Sequence, residues 1–503
     1  MPVETATSST SLDPSFNASL ERDLSPIIAI PAPAFDPSPN QATAFVEDSP
    51  QQNTPTTQAA QDEEYLTNLF YSHFHPAHPF LLPHGKYKAQ NYPTHLRNVV
   101  QLAGSHNSPS RSSSDLAAMV ETLLAEVTEQ SSATVQSLLL FAIVLHARLE
   151  MAKATTMLSR AADMAISIGM NKKEFASTHG MQDPLVEESL RRTWWELYVV
   201  DGYFAALHRQ KSFKCNTVEL TAELPSDEAL YTDGALLPPP VKLANFDERF
   251  FSNDYMDFSS FCYRIAAIRI LSRAIATMGC DDTAPDNIQA VDNALGAWKF
   301  HLPRDKAEVL NRFGEVDHMI LQAHAFISYI HILVHFPRSE LLLQIPSATD
   351  IACFKRMDHA SPISAQHAIK AIAASKDLSD IAALPIRTHS PLFICCLVFA
   401  CIIQISACSA HGHDCLVQHR ERVALMTGVL KQMGRVWPLA QDVLRHINRR
   451  ASKVFRVRDG VQVGLSQTTP DSGIDVGSVV DSFLWLDQIF AGDFYAAEDF
   501  TGI

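Results

Sequence analysis

The sequence predicts an all-α fold: one large multi-helix domain held between two acidic tails. Three observations carry that expectation. Glycine supplies only 18 of 503 residues, too few for the positive-φ turns that β-sandwiches and barrels repeat. Apolar residues through the middle of the chain recur at helical rather than alternating spacing. The formal charge of −15 is concentrated at the ends: residues 1–60 hold seven acids against the single base Arg22, and residues 471–503 hold seven acids and no base. The 410 residues between them carry only −2, so the middle is electrically ordinary and has no whole-surface affinity for nucleic acid.

Residues 1–60 contain nine prolines and fifteen serines or threonines. Such a segment cannot bury enough apolar surface to offset the entropy of ordering, so it reads as disordered. Order is expected from residue 61, where Leu66, Leu69, Phe70 and Phe74 recur at helical spacing until Pro76. A polar stretch at 105–115 reads as a loop. Helices are then expected at 135–154, at 154–170 with Gly169 as its stop, and at 189–207, 258–278 and 317–336. The helical domain is expected to run to residue 450, with a basic segment and an acidic-aromatic tail over 451–503.

The segment between His389 and His411 has no formal charge and is long enough to span a bilayer. Gln404, Ser406 and Ser409 weaken that reading, and a helix apolar all round is also what the centre of a large helical domain requires. The buried helix is therefore preferred, with a membrane-anchored protein as an alternative.

Nine cysteines and an N-terminus without an apolar signal core suggest a reduced compartment, with the thiols acting as small buried hydrophobes. Cys401, Cys408 and Cys415 stand seven apart, which spaces them ~10.5 Å along a helix, too far to share a zinc ion. His411, His413, Cys415 and His419 mix ligand types but lack a matching second cluster, so no metal and no cofactor is expected. Asp281, Asp282 and Asp286 resemble the magnesium-binding acids of helical terpene synthases, but no second acid triad faces them. A helical metal-dependent enzyme is the other alternative; the preferred reading is that the protein is not an enzyme.

Six segments carry a resemblance. RRTWWELYVVDGYFAALHRQ places Arg191, Arg192, Trp194, Trp195 and Asp201 as in the regulatory domain of the fungal zinc binuclear-cluster transcription factors. LFYSHFHPAHPFL resembles that family's opening motif, LSRAADMAISIGMNKK its Leu-Gly-Leu-His helix end, WKFHLP its Trp-x-x-x-Leu-Pro, and the YIHILVHFPR and LKQMGRVWPLAQDVL segments its two later elements. Two departures stand out: Gly202 replaces a basic residue, and His208, Arg209 and Gln210 replace Gly-Arg-Pro. Adjacent tryptophans on a helix point ~100° apart, so Trp194 and Trp195 are expected to serve two packing surfaces. Arg191 and Arg192 are expected near the helix start, where Glu187 and Glu188 would offset the unfavourable dipole. Architectural packing is preferred for this motif over a ligand or partner surface.

The resemblance implies an N-terminal six-cysteine module holding two zinc ions, yet the first cysteine is Cys215 and Arg22 is the only base before Lys86. The expectation is a nuclear transcriptional regulator without its own DNA reader, or a chain whose gene model lacks its first exon. It would control a fungal metabolic, or secondary-metabolite, gene cluster. Its expected partners are a DNA-binding transcription factor such as a full-length paralogue, a coactivator, and a second copy of the chain; neither direct DNA contact nor membrane contact is expected.

Two further segments bear on that role. Phe483, Trp485, Leu486, Ile489, Phe490, Phe494 and Tyr495 lie among five of the C-terminal acids, the composition of an activation segment that folds on a coactivator; the alternative is a terminal helix docked on the core. Arg449, Arg450, Lys453, Arg456 and Arg458 form the one dense basic run, read as a solvated helix face or a nuclear-import patch. Arg449 and Arg450 also sit three and two residues ahead of Ser452, the pattern of a basophilic kinase site.

Overall fold

The computed structural model describes residues 55–460, apart from 110–111, 235, 250, 252–255, 278–284, 342–363 and 411–415. These residues form seventeen α-helices joined by turns and four short 3-10 segments, and they contain no β-strand beyond two isolated bridges. The N-terminal helices are α1 (Pro55–His73), α2 (His84–Ala89), α3 (Thr94–Ser105), α4 (Ser113–Glu126), α5 (Ser132–Ala147), α6 (Met151–Ser167) and α7 (Lys173–His179). The long α8 (Pro184–Leu207) follows, then α9 (Glu228–Thr232), α10 (Leu243–Glu248), α11 (Ser260–Ala276) and α12 (Pro285–Phe300). The chain continues through α13 (His318–His335), α14 (Ser364–Ala382), α15 (Phe393–Ala410), α16 (Leu416–Met433) and α17 (Pro438–Gly460).

Helix starts follow local chemistry. Asp183 caps α8 by accepting Leu185 N at 2.9 Å with Pro184 at the first helical position, and Asp317 caps α13 by accepting Met319 N and Ile320 N. Both caps occupy otherwise unpaired N–H groups. Gly169, at φ +84°, ends α6 as its sequence predicts.

α8 lies at the centre. It packs on α5, α6 and α7 along one side and on α11 along another. α3 joins α1, α4 and α5, while α13 joins α11, α12, α14 and α15; α15 in turn meets α16 and α17. One continuous apolar core runs from Leu66 to Phe455 through all of these.

Several expected boundaries shift. α1 begins at Pro55 rather than residue 61, and the 105–115 loop shrinks because α4 starts at Ser113. The break between the helices expected at 135–154 and 154–170 falls at Arg148–Glu150, where Leu149 takes φ 68°. A left-handed leucine gives no sequence signal, since that conformation is costly for a branched residue and is imposed by the packing of α5 on α6. α8 starts five residues earlier than position 189. α17 crosses residue 450 without interruption, and Ala451, Val454 and Phe455 on its far side belong to the core.

The uncharged 389–411 segment forms α15, whose residues from Phe393 to Cys408 are buried. Gln404 is buried too: it donates to Ser375 Oγ on α14 and accepts at 2.6 Å from His419 Nδ1 on α16. Buried among neighbouring helices and bonded to two of them, α15 takes the place of a core helix, the reading preferred from its sequence. By length and composition one described segment could cross a bilayer, His318–Arg338, and 89% of its apolar window is buried inside the protein.

Candidate functional site

Four charged residues of α8 are withdrawn from water: Glu188, Arg192 and Glu196 at 0% exposure and Arg191 at 6%. Glu188, Arg192 and Glu196 stand four residues apart, so they share one helix face. Removing such charges from water costs several kcal/mol each unless they are paired and hydrogen-bonded. Each is.

The first cluster gathers around Glu188. Its Oε1 accepts from Arg192 Nε at 2.8 Å and Ser226 N at 2.8 Å, and its Oε2 accepts from Arg191 Nε at 3.1 Å. Arg192 also donates to Ser226 O at 2.7 Å and Pro79 O at 3.4 Å, and its guanidinium lies 4.2 Å from the centre of the Tyr231 ring. This arginine ties the turn after α1 and the turn before α9 to α8. Arg191 and Arg192 are therefore in the third turn of α8, not at its start, and their compensation is a direct ion pair rather than a dipole effect.

The second cluster is centred on Glu196. Arg264 of α11, itself fully buried, forks onto it with Nη1–Oε2 and Nη2–Oε1 distances of 2.6 and 2.8 Å. His78, in the turn after α1, lies 2.8 Å from Glu196 Oε1 through Nδ1 and 2.9 Å from Ser390 Oγ through Nε2. Burial would raise the Glu196 carboxyl, but the Arg264 charge and the bonds from Arg264 and His78 outweigh it and hold it at about 2. Burial lowers the His78 pKa despite its acidic neighbour. A neutral ring with Nδ1–H aimed at Glu196 leaves Nε2 to accept the Ser390 hydroxyl proton. Ser390 Oγ then accepts Leu392 N at 3.1 Å ahead of α15. Segments at 78, 196, 264 and 390 are thus joined through one carboxylate.

The two tryptophans are fully buried. Trp195 donates to Glu223 O at 2.8 Å and meets the Tyr198 ring edge-on, whereas Trp194 Nε1 has no hydrogen-bond partner. Asp201 accepts Cys215 N at 2.9 Å and so fastens the loop that leaves α8; burial raises its pKa. Gly202 is explained by α11: a Cβ there would stand 2.6 Å from Ile268 Cγ2 and 3.1 Å from Phe213 Cζ. Trp437, of the later VWPLA element, stacks on His106 and meets Phe74 edge-on. Trp298 donates to Tyr263 O at 3.1 Å and packs against His324. The motif residues therefore lie inside, anchoring helices to one another.

Residues 67–300 match the model of the fungal specific transcription factor domain. The chain carries a fungal specific transcription factor domain. Both ion clusters on α8 belong to it, apart from Ser390. Over 411 residues the chain is 31% identical to the C6 finger domain transcription factor iacK of Pestalotiopsis fici, covering 79% of this chain and 60% of that protein. No solved structure matches the chain. The fungal specific transcription factor domain shares its core with the helices that follow residue 300, since Tyr203 of α8 donates to Leu392 O at 2.6 Å and packs on Phe326 and Tyr329 of α13.

Other expected sites fall elsewhere. Among the described residues no three His, Cys, Asp or Glu side chains converge on one point that could hold a metal ion. Cys401 and Cys408 are buried in α15 and neither is in a disulfide, and burial pushes the Cys401 thiol well up. His419 is occupied by Gln404; His411, His413 and Cys415 lie outside the described residues. Asp286 sits in the first turn of α12, where the helix dipole favours an acid, while Asp281 and Asp282 lie outside the described residues.

Arg449, Arg450 and Ser452 are on α17, with Arg449 and Ser452 exposed; the side chains of Lys453, Arg456 and Arg458 are outside the described part. So are Phe483, Trp485, Leu486, Ile489, Phe490, Phe494 and Tyr495. Sequence reasoning missed His78, Glu196, Arg264 and Ser390. The available signal was a charge repeat of four, Glu188–Arg192–Glu196, inside an otherwise apolar helix.

Proposed function

We propose that the chain is the regulatory portion of a nuclear transcriptional regulator rather than an enzyme. The observation that carries the reading is the fungal specific transcription factor domain at residues 67–300, supported by similarity to a C6 finger domain transcription factor over most of this chain. Its charged motif agrees with a scaffold role, because Glu188, Arg191 and Arg192 are committed to one another and to backbone groups, and Glu196 to Arg264 and His78, rather than presented to solvent. The chain spans 60% of that relative's length, so DNA contact is assigned to a six-cysteine module outside residues 55–460, on a DNA-binding partner in the simplest form of the proposal. A secondary-metabolite gene cluster is the proposed target. A coactivator is the proposed partner of residues 471–503, the basic run on α17 the proposed import signal, and Ser452 the proposed modification site.

The test is a tethering experiment. The full chain joined to an unrelated DNA-binding module should change transcription of a reporter bearing that module's site. A reporter left unaltered by a stably expressed nuclear fusion overturns the reading.

A further inference from the structure

A groove of about 850 Å³ runs between α16 and the loop that links α14 to α15. Leu384, Pro385 and Ile386 of the loop form one wall, and Leu425, Gly428 and Val429 of α16 form the other. Leu425 is 43% exposed, so apolar surface meets water there with no cover among the described residues. The groove is open along its length, which suits a chain segment lying in it better than an enveloped small molecule.

Gly428 stands within the α16 wall. A Cβ there would meet nothing within 4 Å, and a helix-interior glycine costs about 1 kcal/mol relative to alanine. The described fold gains nothing from it. What the missing side chain provides is depth, so that an aromatic ring can approach the α16 backbone. Charge is gathered at one end of the groove. Gln432 Nε2 donates to Arg387 O at 2.9 Å, which sets Arg387 beside the C-terminal end of α16, where Lys431 and, in the turn that follows, Arg435 are also exposed. Glu421 is the one acid in the lining.

Residues 483–494 have the matching chemistry. Set on a helix, Phe483, Leu486, Phe490 and Phe494 fall on one face, with Asp481, Asp487 and Asp493 around it and no base anywhere in residues 471–503. The lengths agree: Phe483 to Phe494 is eleven positions, and so is Glu421 to Gln432, the stretch of α16 that lines the groove, each ~16 Å of helix. The segment also reaches. Twenty-two residues lie between Gly460, the end of α17, and Phe483. A coil of that length has a root-mean-square span of ~25 Å, and α17 packs on α16.

From this match of length, apolar face and charge we infer that residues 483–494 dock in the groove as an amphipathic helix, with an aromatic ring over Gly428 and the segment's acids toward Arg387, Lys431 and Arg435. Tethering makes even a weak contact effective, because a flexible linker supplies a local concentration on the order of mM. A coactivator then competes with the chain's own groove for one apolar face, so docking lowers activation without abolishing it. The inference rests on the activation-segment reading for that consequence, but its test uses neither DNA nor a reporter, so each can fail alone.

The test is hydrogen exchange, read by mass spectrometry on the full chain, with a free peptide of residues 471–503 as the reference. Amides of residues 483–494 should exchange ~10-fold more slowly in the chain than in the peptide, the protection of a segment docked about nine-tenths of the time. Gly428→Glu places bulk and negative charge in the groove where a Cβ has space; it should return exchange to the peptide's rate without lowering the melting temperature. Arg387→Glu with Lys431→Glu, both at exposed positions, should release the segment too, most completely at low salt. Either variant keeps the test decisive if the other disturbs the fold. Rapid exchange of residues 483–494 in the unaltered chain overturns the proposal. So does protection that survives both variants, or protection lost on dilution, as a groove filled by a second copy would give.

Discussion

Glu196 illustrates how a single residue sets the architecture. It holds His78 and Arg264, and through His78 it reaches Ser390, so three distant chain segments depend on one carboxylate. Removing one member leaves the others charged or polar in a water-free site. Glu196→Gln is therefore expected to destabilise the protein by about 3–5 kcal/mol, because Arg264 is left uncompensated. Glu196→Leu combined with Arg264→Met should cost less than either change alone, since no buried charge remains. Denaturant titration of the four proteins checks this; equal or additive losses would show that the pair is not the coupled unit described. The arginine and tryptophan motif on the same helix was legible through family resemblance, but the partner of each charge was not. Arg264 lies 68 residues from Glu196 and Ser390 lies 312 from His78, and no local pattern encodes separations of that size.

At the scale of elements, α15 and α8 show two ways in which context overrides local character. α15 is apolar enough to suggest a bilayer, but its one buried amide joins α14 and α16. Gln404→Leu would increase its hydropathy and still destabilise the fold, by about 1–3 kcal/mol, because Ser375 and His419 lose a buried partner. A thermal melt that rises instead would mean the amide contributes nothing to helix docking.

On α8, Gly202 marks the crossing with α11, where a side chain has no room. Restoring the family's basic residue there, Gly202→Lys, is expected to cost more than the about 1–3 kcal/mol of ordinary overpacking, since a charge is buried along with the excess volume. Gly202→Ala should fall within that range. Chemical denaturation of both variants measures the difference. Helix existence and type were legible for α5, α8, α11, α13 and α15 because their periodic runs are long. The ends were less so: the stop at Arg148–Glu150 depends on Leu149 in a left-handed conformation that only packing against the neighbouring helix maintains.

For the whole molecule, buried histidines dominate the expected response to acid. Burial lowers His75, His106, His318, His331, His367 and His389 to about 4 and His146 to about 3. These rings stay neutral in the folded protein while the unfolded chain protonates near pH 6.5, so acid favours unfolding. Stability should be fully present above about pH 6.5 and fall as the pH drops toward about 4. Each unit of depression is worth about 1.4 kcal/mol, so a few such residues rival the ~5–15 kcal/mol margin of a domain. Glu196, held at about 2, keeps its own contribution above its unfolded value and surrenders it only below pH 4.5. Melting curves taken from pH 7.5 to 4 test the slope; a flat profile contradicts it.

The C-terminal segment supplies a separate prediction at this scale. Residues 471–503, fused to an unrelated DNA-binding domain, are expected to activate transcription. Alanine at Phe483, Trp485, Leu486 and Phe490 should remove most of that activity, because apolar anchors supply the binding energy. Asparagine at Asp481 and Asp487 should weaken it less, since exposed charge mainly steers the encounter. A silent fusion, or the opposite ranking, refutes the account.

Composition and periodicity by themselves determined that this protein is helical and that its charge resides in its ends, while the family motif on its tryptophan-bearing helix was legible only through resemblance. Those properties are local, because amphipathic spacing, proline placement and net charge act over a few residues. Tertiary structure alone decided that the motif's charges face inward, that α15 is a core helix bonded on two sides, and that Glu196 joins His78, Arg264 and, through His78, Ser390. Each of these depends on groups brought together from distant parts of the chain, where burial changes what a charge costs and which partner can offset it.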